Sequence, residues 1–254
     1  MQTYNFLFFF KLLIGFAGEY RRNGKWFFLS SLFLCLSKIF QTASFFIPLK
    51  VLIILSSGNV PDYVGGVLSN IEYGRLVIFL ALMIPASYFC YIFFGILYRW
   101  FFDRDSQLHW KSEYSCCGVL VKGKDLRVLH GQISRLFSEA LLITMCLMLL
   151  IPFSALIFWV VLFVICLLFS IFNAKVFGAS EDERLSYFRL HRRQFIEYSI
   201  SCIFVLFFGI LAANVYLGSI GMYGSIFILL TVRLCLQSLQ RASVEMIYIK
   251  RLIS

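Results

Sequence analysis

The run Gly118-Val-Leu-Val-Lys-Gly123-Lys124-Asp125 is the nearest thing to a chemical motif in this chain, matching a phosphate-binding loop at every position but the last. That last position carries the chemistry: Ser or Thr would offer a hydroxyl to magnesium, whereas Asp125 sets a carboxylate beside phosphate. A phosphate loop also joins a buried strand to a helix, and the preceding Glu113-Tyr-Ser-Cys-Cys does not read as such a strand. No acidic motif on a later hydrophobic strand follows, so ATP binding by these residues is not expected. Cys116 and Cys117 are adjacent, which suits one metal ion poorly, and His109 and His130 do not complete a zinc spacing. The three histidines, 109, 130 and 191, are too far apart for a zinc-protease helix, and none falls in an expected span where it could serve an intramembrane serine. Glu181-Asp-Glu183 abuts Arg184 and reads as a solvated turn. Neither a catalytic set nor a metal site is expected.

What remains is polar side chains inside apolar runs, where each costs a few kcal/mol unless paired or wetted. Lys38 sits near the middle of one run, too deep to snorkel easily. Arg233 and Gln237 are one helical turn apart on a shared face of another, with Gln240 about one turn further. Two readings stand: internal pairing, for instance of Lys38 with Glu139, or a water-filled cavity.

The elements that must hold these residues follow from composition. With 61% apolar and 14% charged residues, a 254-residue globule facing water is excluded, and the solvent is lipid. A spanning helix needs about 20 apolar residues, and unbroken runs such as Ile143 to Phe172 exclude a barrel of alternating strands. Six spans are expected: Trp26 to Ser56, Leu76 to Phe102, Leu136 to Ile151, Ser154 to Asn173, Ile200 to Leu217 and Met222 to Leu239. Residues 1–25 form an interfacial helix, 26–240 the spans and 241–254 a cytoplasmic tail, making one all-α polytopic domain over 1–254.

Basic residues fall in every second loop, which places both termini in the cytoplasm. Arg21, Arg22 and Lys25 precede the first span, Arg104 to Arg135 lie between the second and third, Arg184 to Arg193 between the fourth and fifth, and Arg241, Lys250 and Arg251 close the chain. A net charge of +10 dispersed this way reflects orientation and anionic headgroups, so nucleic acid is not an expected partner. In Asn5 to Gly18 the positive charge falls within and after the apolar core, unlike a signal peptide, so an interfacial elbow helix is expected. The cysteines mostly lie in spans and pack as small hydrophobes. Compact loops suit a bacterial inner membrane.

This arrangement resembles the six-helix transmembrane domain of ABC exporters, in which an elbow helix precedes the first span. The likeness is strongest from Phe208-Gly209 through Gly218-Ser-Ile-Gly221-Met-Tyr-Gly224 to Leu-Leu-Thr-Val-Arg233, similar to that family's fifth helix, tight outer turn and sixth helix. Gly131-Gln-Ile-Ser-Arg135-Leu-Phe-Ser-Glu139 is placed like the family's Gly-led third helix. The resemblance implies that Cys117 to Leu129 forms the first coupling helix, with Cys117, Gly118, Lys122, Lys124, Asp125, Arg127 and Leu129 facing a nucleotide-binding domain. It implies pairing with a second six-helix subunit around a cavity lined by Lys38, Arg233, Gln237 and Gln240, suited to an anionic or carboxylate-bearing substrate.

Two features depart from the family. No nucleotide-binding domain follows Ser254, so ATP and magnesium are expected on a separate ATPase, with no cofactor in this chain. The loop between the fourth and fifth spans has only about Lys175 to Glu197, and roughly 20 residues of helix reach about 15 Å out and 15 Å back, too short for the usual second contact. The expected function is a permease subunit exporting a peptide, lipid or glycan-like substrate. The alternative is a non-transporting scaffold, immunity or assembly subunit with an exporter-like bundle, whose polar residues would pair internally.

Overall fold

The computed structural model describes residues 25–57, 73–109, 114–116, 119–121, 124–177, 191–216 and 222–253. The expected elbow helix lies outside the described residues, as does most of the short loop after the fourth span. Six helices make up nearly all of the described chain: α1 (Lys25–Ser57), α2 (Tyr73–His109), α3 (Lys124–Leu150), α4 (Ala155–Phe172), α5 (Arg192–Tyr216) and α6 (Met222–Ile253). A π turn, Asn173–Phe177, prolongs α4.

Five of these helices are long and apolar enough to cross a membrane: Trp26–Ser56, Tyr73–Arg104, Arg127–Leu150, Ala155–Val176 and Arg192–Tyr216. The sixth expected span is continuous helix within α6 but is not one of the five. Arg233 and Gln237 interrupt its apolar character, and Gln240 and Arg241 follow directly after it. The chain is therefore a helical membrane protein.

Packing explains how so apolar a chain keeps a defined shape. Lipid tails are as apolar as Leu, so helices associate through close fit and hydrogen bonds. Along α1, Trp26, Phe33 and Phe40 recur every seven residues, and along α2 so do Phe94 and Phe101. They interleave as a ladder of near-parallel rings, with Trp26 on Phe101 at 5.2 Å, Phe33 on Phe101 at 5.3 Å and on Phe94 at 5.9 Å, and Phe40 on Phe94 at 5.4 Å. A sevenfold repeat keeps one seam facing its partner. Beside the ladder, Ser37 Oγ donates to the carbonyl of Tyr91 at 3.1 Å.

α3 packs on both α1 and α6, and its buried face (Leu129, Ile133, Leu136, Leu142, Cys146 and Leu150) forms the core with Leu239, Ala242, Met246 and Ile249 of α6. The turn after α3 runs over Pro152, and Ser154 Oγ caps α4 by accepting from the Ile157 amide at 3.4 Å. α4 buries only one stripe, Ile157, Val161, Ile165, Leu168 and Phe172, while Leu156, Trp159 and Phe163 face outward. α5 likewise exposes Val205, Leu206, Phe208 and Ile210. In water such surfaces would aggregate; toward lipid they are expected.

Two local findings differ from the sequence reading. Tyr114–Cys116 and Val119–Val121 form an antiparallel ribbon pairing Tyr114 with Val121 and Cys116 with Val119. A strand therefore does precede Gly118, but the middle of the phosphate-loop-like segment is itself a paired strand, whereas a phosphate loop must wrap its amides around an anion. Within the expected coupling helix over Cys117 to Leu129, Val119–Val121 are extended instead of helical, and Lys124 to Leu129 are the opening turns of α3. Val-Leu-Val favours strand through its β-branched residues.

Candidate functional site

Lys38 of α1 lies across from α3, and its Nζ donates to Glu139 Oε1 at 2.7 Å and to Ser138 Oγ at 3.3 Å. Of the two sequence readings, internal pairing is the one found for this lysine. The pair is largely enclosed: the side chains are 15% and 3% exposed, so the carboxylate is almost fully shielded and the lysine only partly accessible. Ser238 of α6 completes the arrangement, its Oγ lying within hydrogen-bond reach of both Glu139 Oε2 and the Glu139 carbonyl oxygen. Arg241, one turn further along α6, approaches Glu139 Oε1 at 3.7 Å. One carboxylate thus joins α1, α3 and α6.

Small residues make this convergence possible. Ser134 and Ser138 lie one turn apart on α3 and are fully buried, as are Ser31 on α1 and Ser243 on α6. Ser31 and Ser134 share a hydrogen bond at 3.1 Å, and Ser243 turns back to the Leu239 carbonyl at 2.9 Å. Short side chains of this kind let helix axes draw together and satisfy polar atoms locally.

The other polar candidates occupy a different surface. Arg233, Gln237 and Arg241 succeed one another at four-residue intervals along α6, covering about 12 Å of its length at 1.5 Å per residue. They line a groove of about 300 Å³ closed on its other side by Gln41, Thr42 and Phe45 of α1. Arg233 is exposed, and its guanidinium lies 5.8 Å from the Phe204 ring of α5. It makes no ion pair among the described residues. Gln240 does not line this groove, and neither does Lys38. Arg241, Gln41 and Thr42 were not singled out in the sequence, Arg241 because it falls where a cytoplasmic tail was expected.

A second, apolar chamber of about 260 Å³ adjoins the groove and shares Thr42, Phe46, Leu230 and Leu234 with it. Ile39, Ala43, Ile47, Cys146, Ile226 and Phe227 contribute to its wall, and Lys50 lines it as well.

At the candidates for ATPase coupling the described contacts are superficial. Arg127 pairs with Asp103 at 2.9 Å, both about half exposed, which joins the ends of α2 and α3. Leu129 is buried in the core. Lys124 and Asp125 lie in the first turn of α3, and Cys117, Gly118 and Lys122 lie outside the described residues. Beyond them Arg135 reaches Glu245 at 3.6 Å, a further tie between α3 and α6. His130, which the sequence placed outside a span, lies in the membrane-length part of α3, edge-on to Phe27 and Phe102 at 5.3 Å each. Among the described residues no group of His, Cys, Asp and Glu is arranged to hold a metal ion. No protein-family model, curated protein or solved structure matches this chain.

Proposed function

We propose that this chain is the membrane-spanning permease subunit of an ABC-type exporter, working with a nucleotide-binding ATPase and a second six-helix subunit. The observation that supports it is the groove between α1 and α6, lined by Arg233 and Gln237, where Arg233 makes no ion pair among the described residues. Charge left open on a membrane helix marks a wet pathway or a ligand site. On this reading α6 is the sixth span, both termini are cytoplasmic and the membrane is a bacterial inner membrane. Two copies, or this chain and a related one, enclose a cavity to which the α1–α6 groove contributes, and the substrate is a peptide, lipid or glycan-like molecule.

Purification from native membranes in mild detergent tests the reading. A co-purifying protein with a complete phosphate loop, whose ATP hydrolysis rises with added membrane subunit, is the expected result. Repeated recovery of the chain without any ATPase would sink it. A second reading, a non-transporting scaffold or assembly subunit, is favoured by one specific observation: the Lys38, Glu139 and Ser238 cluster is internally satisfied and locks three helices together. It accounts for that cluster but leaves the open groove unexplained.

A further inference from the structure

We infer that the groove and the adjoining chamber form one site for an anionic membrane lipid, its acidic headgroup held by Arg233 and Arg241 and an acyl chain laid in the chamber between α1 and α6. The inference deepens the exporter reading and rests on it for the fate of the lipid, while the site itself stands on the geometry.

Charge sets the headgroup. Arg233 and Arg241 line the groove with no carboxylate among its wall residues, and Glu139, which Arg241 approaches, is already paired with Lys38. Lys38 and Ser238 already engage both carboxylate oxygens at close range, and Arg241 touches Glu139 only at 3.7 Å with its side chain 46% exposed. The groove is left with an excess of positive charge. Guanidinium groups suit phosphate and carboxylate because their planar fork donates two parallel hydrogen bonds. Gln41 and Gln237 add amide donors on facing walls.

The chamber sets the rest of the ligand. It shares four wall residues with the groove, so a molecule anchored at the arginines continues into it without leaving the protein surface. Its two threonines turn their hydroxyls back to their own helices, Thr42 to the Lys38 carbonyl at 2.8 Å and Thr231 to the Phe227 carbonyl at 2.9 Å, and so present methyl groups. A soluble anion would use only the polar half of this site. A zwitterionic lipid would bring a second cation to an already cationic groove. An anionic amphiphile satisfies both halves, in the pattern of a mostly apolar pocket with a few convergent polar groups.

The test uses the full chain in phosphatidylcholine vesicles carrying a minority of phosphatidic acid with a diazirine near the end of its acyl chain. Phosphatidylcholine bearing the same chain serves as the comparison, and cross-links are mapped by peptide mass spectrometry. The phosphatidic acid probe is expected to label residues 43–47 and 226–227 several-fold more than the zwitterionic probe. Arg233→Gln, at an exposed position outside the buried cluster, should lower that labelling about tenfold through loss of one charge-assisted contact. Ala43→Phe, which fills the chamber from α1, should remove it while the headgroup side is unchanged. Equal labelling by both probes, or labelling indifferent to Arg233→Gln, would mean ordinary boundary lipid and overturn the proposal. So would full protection by soluble glycerol phosphate, which would make the site one for a free anion. Because no nucleotide or ATPase is present, specific labelling without a co-purifying ATPase would retain the site and remove the exporter reading, and the converse pair of results would do the opposite.

Discussion

Replacing Lys38 by Met removes the cation nearest a carboxylate that is 3% exposed, and the size of the loss can be worked from the surrounding contacts. Deleting one partner of a buried ion pair generally costs about 3–5 kcal/mol, because the other charge stays behind uncompensated. Here Glu139 keeps the Ser238 hydroxyl and the Arg241 guanidinium at 3.7 Å, and the unfolded chain in a membrane also finds polar partners. Both effects pull the value down, to about 2–3 kcal/mol for Lys38→Met. Adding Glu139→Gln removes the stranded charge and leaves an amide oxygen for Ser238, so the double variant should return to within about 1 kcal/mol of the parent, with a coupling of about 2 kcal/mol. The assay is reversible unfolding in mixed micelles of rising denaturing-detergent fraction, followed by tryptophan fluorescence. Trp26 reports it well, since its ring stacks on Phe101 and lies 4.8 Å from the Arg104 guanidinium, contacts that break when α1 leaves α2. A single-variant loss below about 0.5 kcal/mol, or two losses that simply add, would refute the claim that this pair ties α1 to α3.

The double replacement of Arg233 and Gln237 by Leu should abolish export while the chain still assembles, and normal transport by that variant would remove the groove from the pathway. Phe94→Ala deletes a ring stacked on both Phe33 and Phe40 and should cost about 2–4 kcal/mol in the same unfolding assay; no loss would show the aromatic ladder to be incidental. At Gly131 an added Cβ would meet Phe102 Cζ at 3.4 Å, an ordinary contact, so Gly131→Ala should be neutral or stabilising by about 0.5 kcal/mol. Gly131→Leu should push α2 from α3 and cost about 1–3 kcal/mol, and equal stability of the two variants would contradict the close approach seen there.

Hydropathy made the helices legible but not their lengths. The first span was expected at Trp26 to Ser56 and the helix is Lys25–Ser57, because lipid-length apolar composition and helix coincide there. The third was expected from Leu136, yet α3 begins at Lys124, since Lys, Asp, Arg, Gln and Glu end an apolar run without ending a helix. α6 runs on to Ile253 for the same reason. The site divides similarly. Arg233 and Gln237 stood out as polar residues in a run and do share a groove. Arg241 lies beyond that run, and nothing local to it announces Glu139 on another helix. The Lys38 and Glu139 partnership was one of the readings open at the sequence, since each was anomalous in its own segment. What could not be read was Ser238, an ordinary residue until three helices meet at it.

The Lys38 and Glu139 pair is also a statement about time. The two residues are 101 positions apart, and at about 5–20 residues per second the ribosome delivers the acid some 5–20 s after the base. During that interval α1 carries a lone cation near mid-membrane, a placement worth about +2.5–3.5 kcal/mol against insertion. Its aromatic seam with α2 forms first and can hold it in place, as the ring ladder needs nothing synthesised after Phe101. The order of the chain therefore makes α1 and α2 an insertion unit that waits, and the arrival of α3 the event that commits the bundle to its final register.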